Sequence, residues 1–568
     1  MYRPVLDSFA GSLALTSIFA ALPLLTLFLL LGGLRMRAWL ASLISLLVAI
    51  VVAVAIYAMP VGQTLLATTE GAAFGFFPIL WIVINAIWVY NMTVVTGHFD
   101  VLRRSFAKVS DDQRIQAIII AFCFGALLEA LAGFGTPVAI SSVMLIALGF
   151  KPLKAATLAL VANTAPVAFG ALAVPITTLA TVTGIPEHTL ASMVGRQTPL
   201  LGVFVPMALV YIVDKGRGVR ATLPASLTCG ISFAIAQYAT SNFLSTQLTD
   251  IVASLVGAAS VVLLLRVWRP AEVYIEAVEP ASVPVSGNVG AAYNAAGSDH
   301  PVGPGVGTAQ DLAERDSGHR DSTGDVLRAY APYLVIIALF IITQLPGVSD
   351  LFNAPTRSFR WPGLELETAA GKPSALPVFK FNWLSAAGTL MVIAGLVNIP
   401  ILGISPAKAL RAYVDTYRQL ASAIVTVMAV LALAYVMNSS GETATLGKWM
   451  AGAGAAFAII SPVLGWIGVA VTGSDTSSNS LFGALQVSAA NQIGLNPILM
   501  AAANSSGGVL GKMISPQNLA IAAAAVGMSG REGDIFRKVF GWSLLFLAFM
   551  CVVVFLQTTA VLSWMVVH

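Results

Sequence analysis

The chain has 568 residues, of which 57% are hydrophobic and 10% are charged, and its formal net charge is +4 at pH 7. Soluble proteins carry about 25% charged residues, so this composition excludes an ordinary soluble globular fold. The small basic excess is routine in membrane proteins, whose cytoplasmic loops hold Lys and Arg, and it predicts no nucleic-acid partner.

Uncharged runs long enough to cross a hydrocarbon core of about 30 Å recur from one end of the chain to the other. Clusters of Lys and Arg between them predict the cytoplasmic loops and place both termini outside. We therefore expect an all-α polytopic membrane protein embedded in the lipid bilayer. The predicted spans are 12–32, 38–59, 72–97, 155–183, 197–213, 221–240, 250–265, 329–346, 381–404, 419–438, 449–471 and 539–561.

One segment, 267–327, interrupts this pattern with nine acidic and three basic residues among Gly, Pro, Ser and Ala. Such a composition predicts a flexible acidic linker, which we place in the cytoplasm. It divides the chain into an N-terminal transmembrane half, 1–266, and a C-terminal transmembrane half, 328–568. Either a tolerated insertion or a regulatory segment would explain it.

Two passages, 116–172 and 473–518, are apolar overall but are interrupted by Gly, Pro, Ser, Thr and Asn. In each passage a cluster of Gly with Ser or Thr precedes a GxxP turn, and an Asn with a hydroxyl neighbour follows it. This is a weak internal repeat. Unwound backbone is tolerated in a membrane only where it lines a cavity or is buried in protein. We therefore predict two hairpins or broken helices that meet near the membrane midplane.

The alternative is that the small residues merely allow close helix packing, and Gly507 and Gly511 have the spacing for it. Packing does not explain the consecutive Ser, Thr and Asn residues, which need hydrogen-bond partners away from water. A polar cavity explains both features.

Three ionisable residues, Glu129, Asp475 and Lys512, fall deep inside the two passages. A charge at this depth costs about 3 kcal/mol, so each residue is a functional candidate. Helix N-termini at the breaks, Asn and hydroxyl donors and one Lys can together hold a small carboxylate.

Import of an anion against a membrane potential of about 100 mV, negative inside, costs about 2.3 kcal/mol per charge. A co-transported proton cancels this cost. Because buried carboxylates can take up and release protons, Asp475 and Glu129 are the candidate carriers. Sodium, bound by hydroxyl, amide and backbone oxygens, is the open alternative.

Other functional classes find little support. The residues around Lys512 fail the Walker pattern, GxSxG is absent, and the five histidines lie outside the predicted span interiors. Cys123, Cys229 and Cys551 are too far apart in the sequence to suggest a disulfide framework or a metal site. We expect no enzyme, catalytic residue, cofactor or metal. A membrane-bound enzyme, such as a lipid-modifying transferase, and a channel or sensor are the alternatives.

Four motifs resemble the bacterial L-lactate permease family: EALAGFGTPVAI from Glu129 to Ile140, ANTAPVAFGAL, GSDTSSNSLFGALQ and ANSSGGVLGKMISPQNLAIA. The resemblance covers nearly the whole chain except 270–327. It implies a permease of the bacterial cytoplasmic (inner) membrane with about 12 to 14 helices. It also implies uptake of lactate, often with glycolate or related 2-hydroxy acids, by proton symport.

The resemblance supplies the candidate substrate-binding positions, all within the two passages. They are Thr136, Asn163, Thr164, Thr476, Ser477, Asn479, Asn504, Ser505 and Lys512. The expected partners are a small carboxylate and a proton. A sodium-coupled carrier and a di- or tricarboxylate carrier remain alternatives, and the oligomeric state is open.

Overall fold

The structure, a computed structural model, describes residues 1–568 except 35, 134, 277–320, 344, 369, 370, 372 and 375. Most of the described chain is helical, which confirms the predicted all-α polytopic fold. The sheet in the described part is one antiparallel pair, Arg357–Arg360 with Val378–Phe381, which pairs Arg357 with Phe381.

The helices before the predicted linker are numbered in chain order. They are α1 (Leu13–Phe28), α2 (Ala38–Ala55), α3 (Val61–Phe74), α4 (Trp81–Val95), α5 (His98–Ala107), α6 (Gln113–Gln116), α7 (Gly125–Ala132), α8 (Thr136–Ala147), α9 (Pro152–Ala162), α10 (Gly170–Thr183), α11 (Glu187–Val194), α12 (Thr198–Phe243) and α13 (Thr249–Val267). Three π-helical stretches, Leu29–Gly33, Gly75–Leu80 and Ala117–Phe124, extend or join some of them.

The helices after the linker continue the numbering. They are α14 (Thr323–Ile342), α15 (Val348–Asn353), α16 (Ala387–Ile401), α17 (Pro406–Gln419), α18 (Ala421–Ser440), α19 (Glu442–Met450), α20 (Phe457–Thr472), α21 (Asp475–Ile493), α22 (Pro497–Gly511), α23 (Pro516–Ala525) and α24 (Glu532–Gln557).

Within the described residues, ten helices are long and apolar enough to cross a membrane, and one bent pair raises the count to 11. This count differs from the 12 to 14 helices implied by the family resemblance. One reason is that the predicted spans 197–213 and 221–240 belong to one long run, Glu187–Phe243, which changes direction around Asp214 and Lys215. Another is that α8 and α16 are apolar but short.

Two sets of contacts mark the two ends of the bundle. At one end the Arg114 guanidinium lies 2.7 Å from the Asp112 carboxylate and 3.2 Å from that of Asp214. At the other end Asn496 donates to the backbone carbonyl of Val567, 3.0 Å away. We call these the basic end and the C-terminal end.

The first passage forms a hairpin that opens at the basic end. Its first arm, Gln113–Leu131, is buried along its whole length, and α8 is the second arm. The Gln113 side chain donates to the carbonyl of Leu148, 3.3 Å away, so both arms end together. The turn between them ends at Gly135, whose φ of +85° is a conformation that favours glycine. The hairpin tip is therefore inside the protein.

A broken helix follows this hairpin. α9 runs inward and ends at Ala162, and after a break at 163–166 the helical chain continues as Val167–Thr183, with a bend of 65° between the two parts. The run 155–183, predicted as one span, is therefore broken after Ala162. Non-helical backbone at residues 171–173 distorts the start of α10 further.

The second passage repeats this order in the opposite direction. α20 and α21 form a hairpin whose tip is Gly473, at φ +77°. Cys551 contacts the carbonyl of Ile459 near the start of α20, and Asn496 begins the turn after α21, so this hairpin opens at the C-terminal end. α22 and α23 then form a helix broken at Lys512–Ile514. The two hairpins therefore open at opposite ends of the bundle.

Small residues pack α20 against α22. A Cβ atom on Gly507 would collide with the backbone of Pro462, and one on Gly511 would collide with the carbonyl oxygen of Trp466. The close-packing interpretation of Gly507 and Gly511 is thus correct for these two positions. The polar residues of α22 need a separate explanation.

The predicted linker lies mostly at residues 277–320, outside the described part of the chain. Its described edges are bound to the basic end. Glu276 lies 3.0 Å from Lys154, and Asp321 lies 2.6 Å from Arg104. The acidic residues at both edges therefore pair with basic residues of the same end of the bundle.

Candidate functional site

The two hairpin tips and the two helix breaks meet in the middle of the bundle, at a region that we call the junction. Asn518, in the first turn of α23, donates to the carbonyl of Gly473 at 3.4 Å. A Cβ atom on Gly135 would lie 3.5 Å from the Asn518 side-chain oxygen. Both tips thus approach the same residue just after the second break.

A buried ion pair joins the two passages at the junction. The Lys512 ammonium, in the second break, lies 2.6 Å from Oε1 of Glu129, near the end of the first arm. Asn163, at the first break, donates to the other oxygen of Glu129 at 2.9 Å. Glu129 is 3% exposed and Lys512 is 6% exposed. Such a pair stabilises the fold only when further hydrogen bonds satisfy it, as Asn163 does here.

Close packing fixes the Glu129 carboxylate. A Cβ atom on Gly170, the first residue of α10, would lie 2.6 Å from Oε1 of Glu129. That distance is shorter than any normal contact, so a larger residue at 170 would displace the carboxylate. The backbone at the start of α10 therefore approaches Glu129 directly.

The second acid, Asp475, begins α21 immediately after the second tip. Its Oδ2 accepts hydrogen bonds from Ser505 at 2.6 Å and Asn479 at 3.3 Å. Its Oδ1 has no hydrogen-bond partner among the described residues. A helix N-terminus favours negative charge. A Cβ atom on Gly508 of α22 would collide with Oδ1 of Asp475, so this carboxylate lies against α22 about one helical turn before Lys512.

A row of amides connects the second hairpin to α10. Asn479 donates to the carbonyl of Pro175 at 3.1 Å and accepts from Asn504 at 2.9 Å. Gln486 donates to the side-chain oxygen of Asn504 at 3.1 Å. Because each amide satisfies the next, the row can order the polar wall of the junction.

Most of the residues selected from the sequence lie in or beside these contacts. The ion-paired or hydrogen-bonded members are Glu129, Asn163, Lys512, Asp475, Ser505, Asn479 and Asn504. Thr476 and Ser477 are buried in the first turn of α21 beside Asp475. Thr136 begins α8 directly after the first tip and is partly buried.

Thr164 differs from these residues. Its hydroxyl donates to the carbonyl of Val161, 2.7 Å away on its own chain segment. The two Asn residues aligned by the sequence repeat also differ, because Asn163 caps α9 at the first break whereas Asn504 lies inside α22. Lys512 occupies the second break instead.

Two polar residues of this region were missed in the sequence. Asn518 follows the Ser-Pro start of α23 within a recognised motif, and an Asn so close to a helix start is a usable signal. Gln486 lies in the middle of an uncharged helix, where no local feature distinguishes it. The fold alone shows that it completes the row of amides.

The chain is similar to known proteins over nearly its whole length. A profile of the L-lactate permease family matches residues 16–561. The L-lactate permease of Escherichia coli strain K12 is 41% identical over 98% of both chains, and that of Bacillus subtilis strain 168 is 39% identical over 100% of this chain and 99% of the other. A glycolate permease of Escherichia coli strain K12 is 41% identical over 98% of this chain and 97% of its own.

Proposed function

This chain belongs to the L-lactate permease family of multi-pass bacterial inner-membrane proteins, and we propose that it imports L-lactate by proton symport. Glycolate and other small 2-hydroxy monocarboxylates are the proposed further substrates, because one close relative is a glycolate permease. The activities of these relatives support the substrate class. The junction supports the mechanism.

The observation that carries the proposal is the buried ion pair between Lys512 and Glu129. Its ammonium is the cation that a carboxylate substrate requires, and it already binds a carboxylate. We propose that the substrate carboxylate takes the place of Glu129 on Lys512. The exchange conserves one charge-assisted hydrogen bond, so the substrate gains a buried cation without leaving that cation unpaired.

Proton coupling follows from this exchange. When the substrate occupies Lys512, Glu129 becomes a buried carboxylate without its cation, which is unfavourable in a medium of low dielectric constant. A proton on Glu129 removes that penalty, and Asp475, which lies against α22 about one helical turn before Lys512, is the next acid that can receive it. Substrate and proton therefore bind together. The proton also cancels the cost of about 2.3 kcal/mol per 100 mV for moving the anion.

Unpaired acceptors at the junction suit a 2-hydroxy group. The side-chain oxygen of Asn163 and Oδ1 of Asp475 have no hydrogen-bond partner among the described residues. Each can accept from the substrate hydroxyl while Lys512 holds the carboxylate. A second carboxylate would need a second cation. The junction contacts described above include one cationic side chain, that of Lys512. A monocarboxylate therefore fits better than a di- or tricarboxylate.

The opposite orientation of the hairpins suits alternating access. The first hairpin closes the junction toward the basic end and the second closes it toward the C-terminal end. The positive-inside rule assigns the basic end to the cytoplasm. Movement of either hairpin would open the junction to one side, as in other carriers built from inverted repeats.

Exchange in proteoliposomes tests the substrate assignment. Vesicles loaded with unlabelled L-lactate should take up labelled L-lactate at equal pH on both sides. External glycolate should compete strongly, whereas acetate, which lacks the hydroxyl, and malate, which has two carboxylates, should compete weakly. Equal competition by malate would favour the dicarboxylate alternative, and an absence of exchange would contradict carrier function.

A further inference from the structure

A third buried acid, Asp250, lies outside the junction. It is in the first turn of α13 and has no exposed surface. Its Oδ1 accepts from the Gln237 side chain at 2.8 Å, and its Oδ2 has no hydrogen-bond partner among the described residues. A buried, half-satisfied carboxyl group is expensive to maintain, and intramembrane acids of this kind commonly mark proton routes.

Gln237 connects Asp250 to the junction. Its side-chain NH₂ group lies 3.4 Å from the carbonyl of Ala165, which belongs to the first helix break. The same break carries Asn163, which donates to Glu129. The helices that carry the two acids, α13 and α7, also pack against each other. Asp250 is thus linked to Glu129 through Gln237 and the first helix break.

Polar side chains continue from Asp250 to the C-terminal end of the bundle. The turn before α13 contains the buried hydroxyls of Ser245 and Thr246. Gln247, in the same turn, donates to Glu187 at 2.6 Å, and Glu187 is partly exposed. A proton entering at this end would meet these groups before it reached Asp250.

Few ionisable groups face Asp250 from the elements packed against α13, which are α7, α10, α12 and the π-helical stretch before α7. α7 contributes Glu129. Cys229 of α12 and Cys123 of the π-helical stretch form a thiol pair, and Cys123 lies beside Gly257, two turns further along α13. Tyr238 of α12 is exposed. The other ionisable residues of α12 lie toward the basic end. Among the described residues of these elements, Glu129 is therefore the acid to which Asp250 can pass a proton.

We propose that Asp250 is the group through which Glu129 receives its proton from the C-terminal end of the bundle. The inference rests on the proposed proton symport. A proton from external water forms an O–H bond at the unpaired oxygen of Asp250. That bond then breaks, the proton passes by way of water to Glu129, and Asp250 returns to the carboxylate form. The net change is one proton moved from the external solution to Glu129.

Asp250→Asn tests this role in the full chain reconstituted in proteoliposomes. Asn keeps the oxygen that accepts from Gln237 but cannot carry a proton. We expect uptake driven by an external acid pulse to slow at least about tenfold, because a positioned acid or base typically contributes about a hundredfold or more. Lactate exchange at equal pH, which needs no net proton movement, should change less than about twofold.

Control variants separate this role from a structural one. Asp534 is a partly exposed acid in the first turn of α24, and Asp534→Asn should leave both rates unchanged. Asp250→Glu should restore proton-driven uptake, because it retains a titratable carboxyl group. If the Asn variant is not recovered folded, Asp250→Ser should show the same selective loss.

The outcomes distinguish the two proposals. Normal proton-driven uptake by Asp250→Asn, while the unmodified protein is coupled, would overturn the role of Asp250 and leave symport intact. Loss of exchange together with loss of uptake would show that Asp250 is only structural and would also overturn its proposed role in proton transfer. A lack of coupling in the unmodified protein would instead contradict the proposed function.

Discussion

Lys512 Nζ lies 2.6 Å from Oε1 of Glu129, although the two residues are 383 positions apart in the chain. The contact joins the second helix break to the first hairpin, so it ties the two halves of the inverted arrangement together. Removal of one partner from such a buried pair typically costs about 3–5 kcal/mol. The pair is thus both a structural bond and the proposed substrate site.

Lys512→Met should abolish lactate exchange, because it removes the proposed cation for the carboxylate. It should also lower thermal stability, since Glu129 loses its partner. The double variant Lys512→Met with Glu129→Gln should recover part of the stability, because no unpaired charge remains, but none of the exchange. Thermal unfolding in detergent and exchange in vesicles measure the two effects. Exchange by Lys512→Met at a normal rate would contradict the assignment of Lys512.

Glu129→Gln should uncouple substrate binding from pH. In the unmodified protein, lactate binding should weaken as pH rises, because the proposed exchange takes up one proton with each lactate bound. Gln cannot ionise, so binding to the variant should stay nearly constant between pH 6 and 8, about one unit on either side of neutrality. Binding can be measured by protection against thermal unfolding at each pH. A variant that keeps the original pH dependence would contradict the competition between Glu129 and substrate.

Asp475→Asn should retain exchange but lose accumulation driven by a pH gradient. Asn preserves an oxygen that can accept from Ser505 but cannot carry a proton. We expect gradient-driven accumulation to fall at least about tenfold. Exchange at equal pH is the internal control. Unchanged accumulation would refute a proton-carrying role for Asp475.

Gly170→Ala should impair transport through the position of Glu129. The added Cβ atom would lie 2.6 Å from Oε1 of Glu129, so the carboxylate must move away from Lys512. A shift of this kind should slow exchange by about tenfold or more. Gly541→Ala in α24 is the matched control, because a Cβ atom there has no neighbour within 4 Å. Equal rates in the two variants would contradict the close approach of Gly170 to Glu129.

Gly507→Ala should destabilise the protein by packing alone. The new Cβ atom would collide with the backbone of Pro462, and overpacking of this kind costs about 1–3 kcal/mol. We expect a lower unfolding temperature in detergent, with lactate affinity retained by the folded fraction. Gly62→Ala, whose Cβ atom meets nothing within 4 Å, should unfold as the original protein does. A stable Gly507→Ala variant would contradict the close α20–α22 contact.

Much of the fold is predictable because its physical cause is local. The long apolar runs identify the membrane helices, and the interruptions rich in Gly, Ser and Thr identify both hairpin tips. The direction in which each hairpin opens is not local. It depends on the contact of Gln113 with Leu148 at one end and of Asn496 with Val567 at the other.

The junction was predictable in its members but not in its pairs. Burial cost alone selects Glu129, Asp475 and Lys512, because an ionisable residue at membrane depth needs a reason. It does not indicate that Lys512 bonds Glu129 while Asp475 bonds Ser505, since those pairings depend on how the two passages cross. Sequence similarity within the repeat aligns Asn504 with Asn163. That correspondence is wrong in the structure, because Asn163 lies at the first break whereas Asn504 lies inside α22.

Asp250 shows why a buried acid near a helix end escapes detection. It begins the apolar run 250–265, where an acid is ordinarily expected to reach the aqueous boundary. The fold instead buries it completely against Gln237. Burial of this kind comes from neighbouring helices, and the sequence around position 250 contains no sign of it.

Lactate accumulation in proteoliposomes under an imposed pH gradient, with equal sodium on both sides, tests the central claim most directly. We predict accumulation above the external concentration when the outside is acidic, and its loss when a protonophore collapses the gradient. No accumulation under the pH gradient, or accumulation that requires a sodium gradient, would contradict proton symport through the Glu129, Lys512 and Asp475 junction.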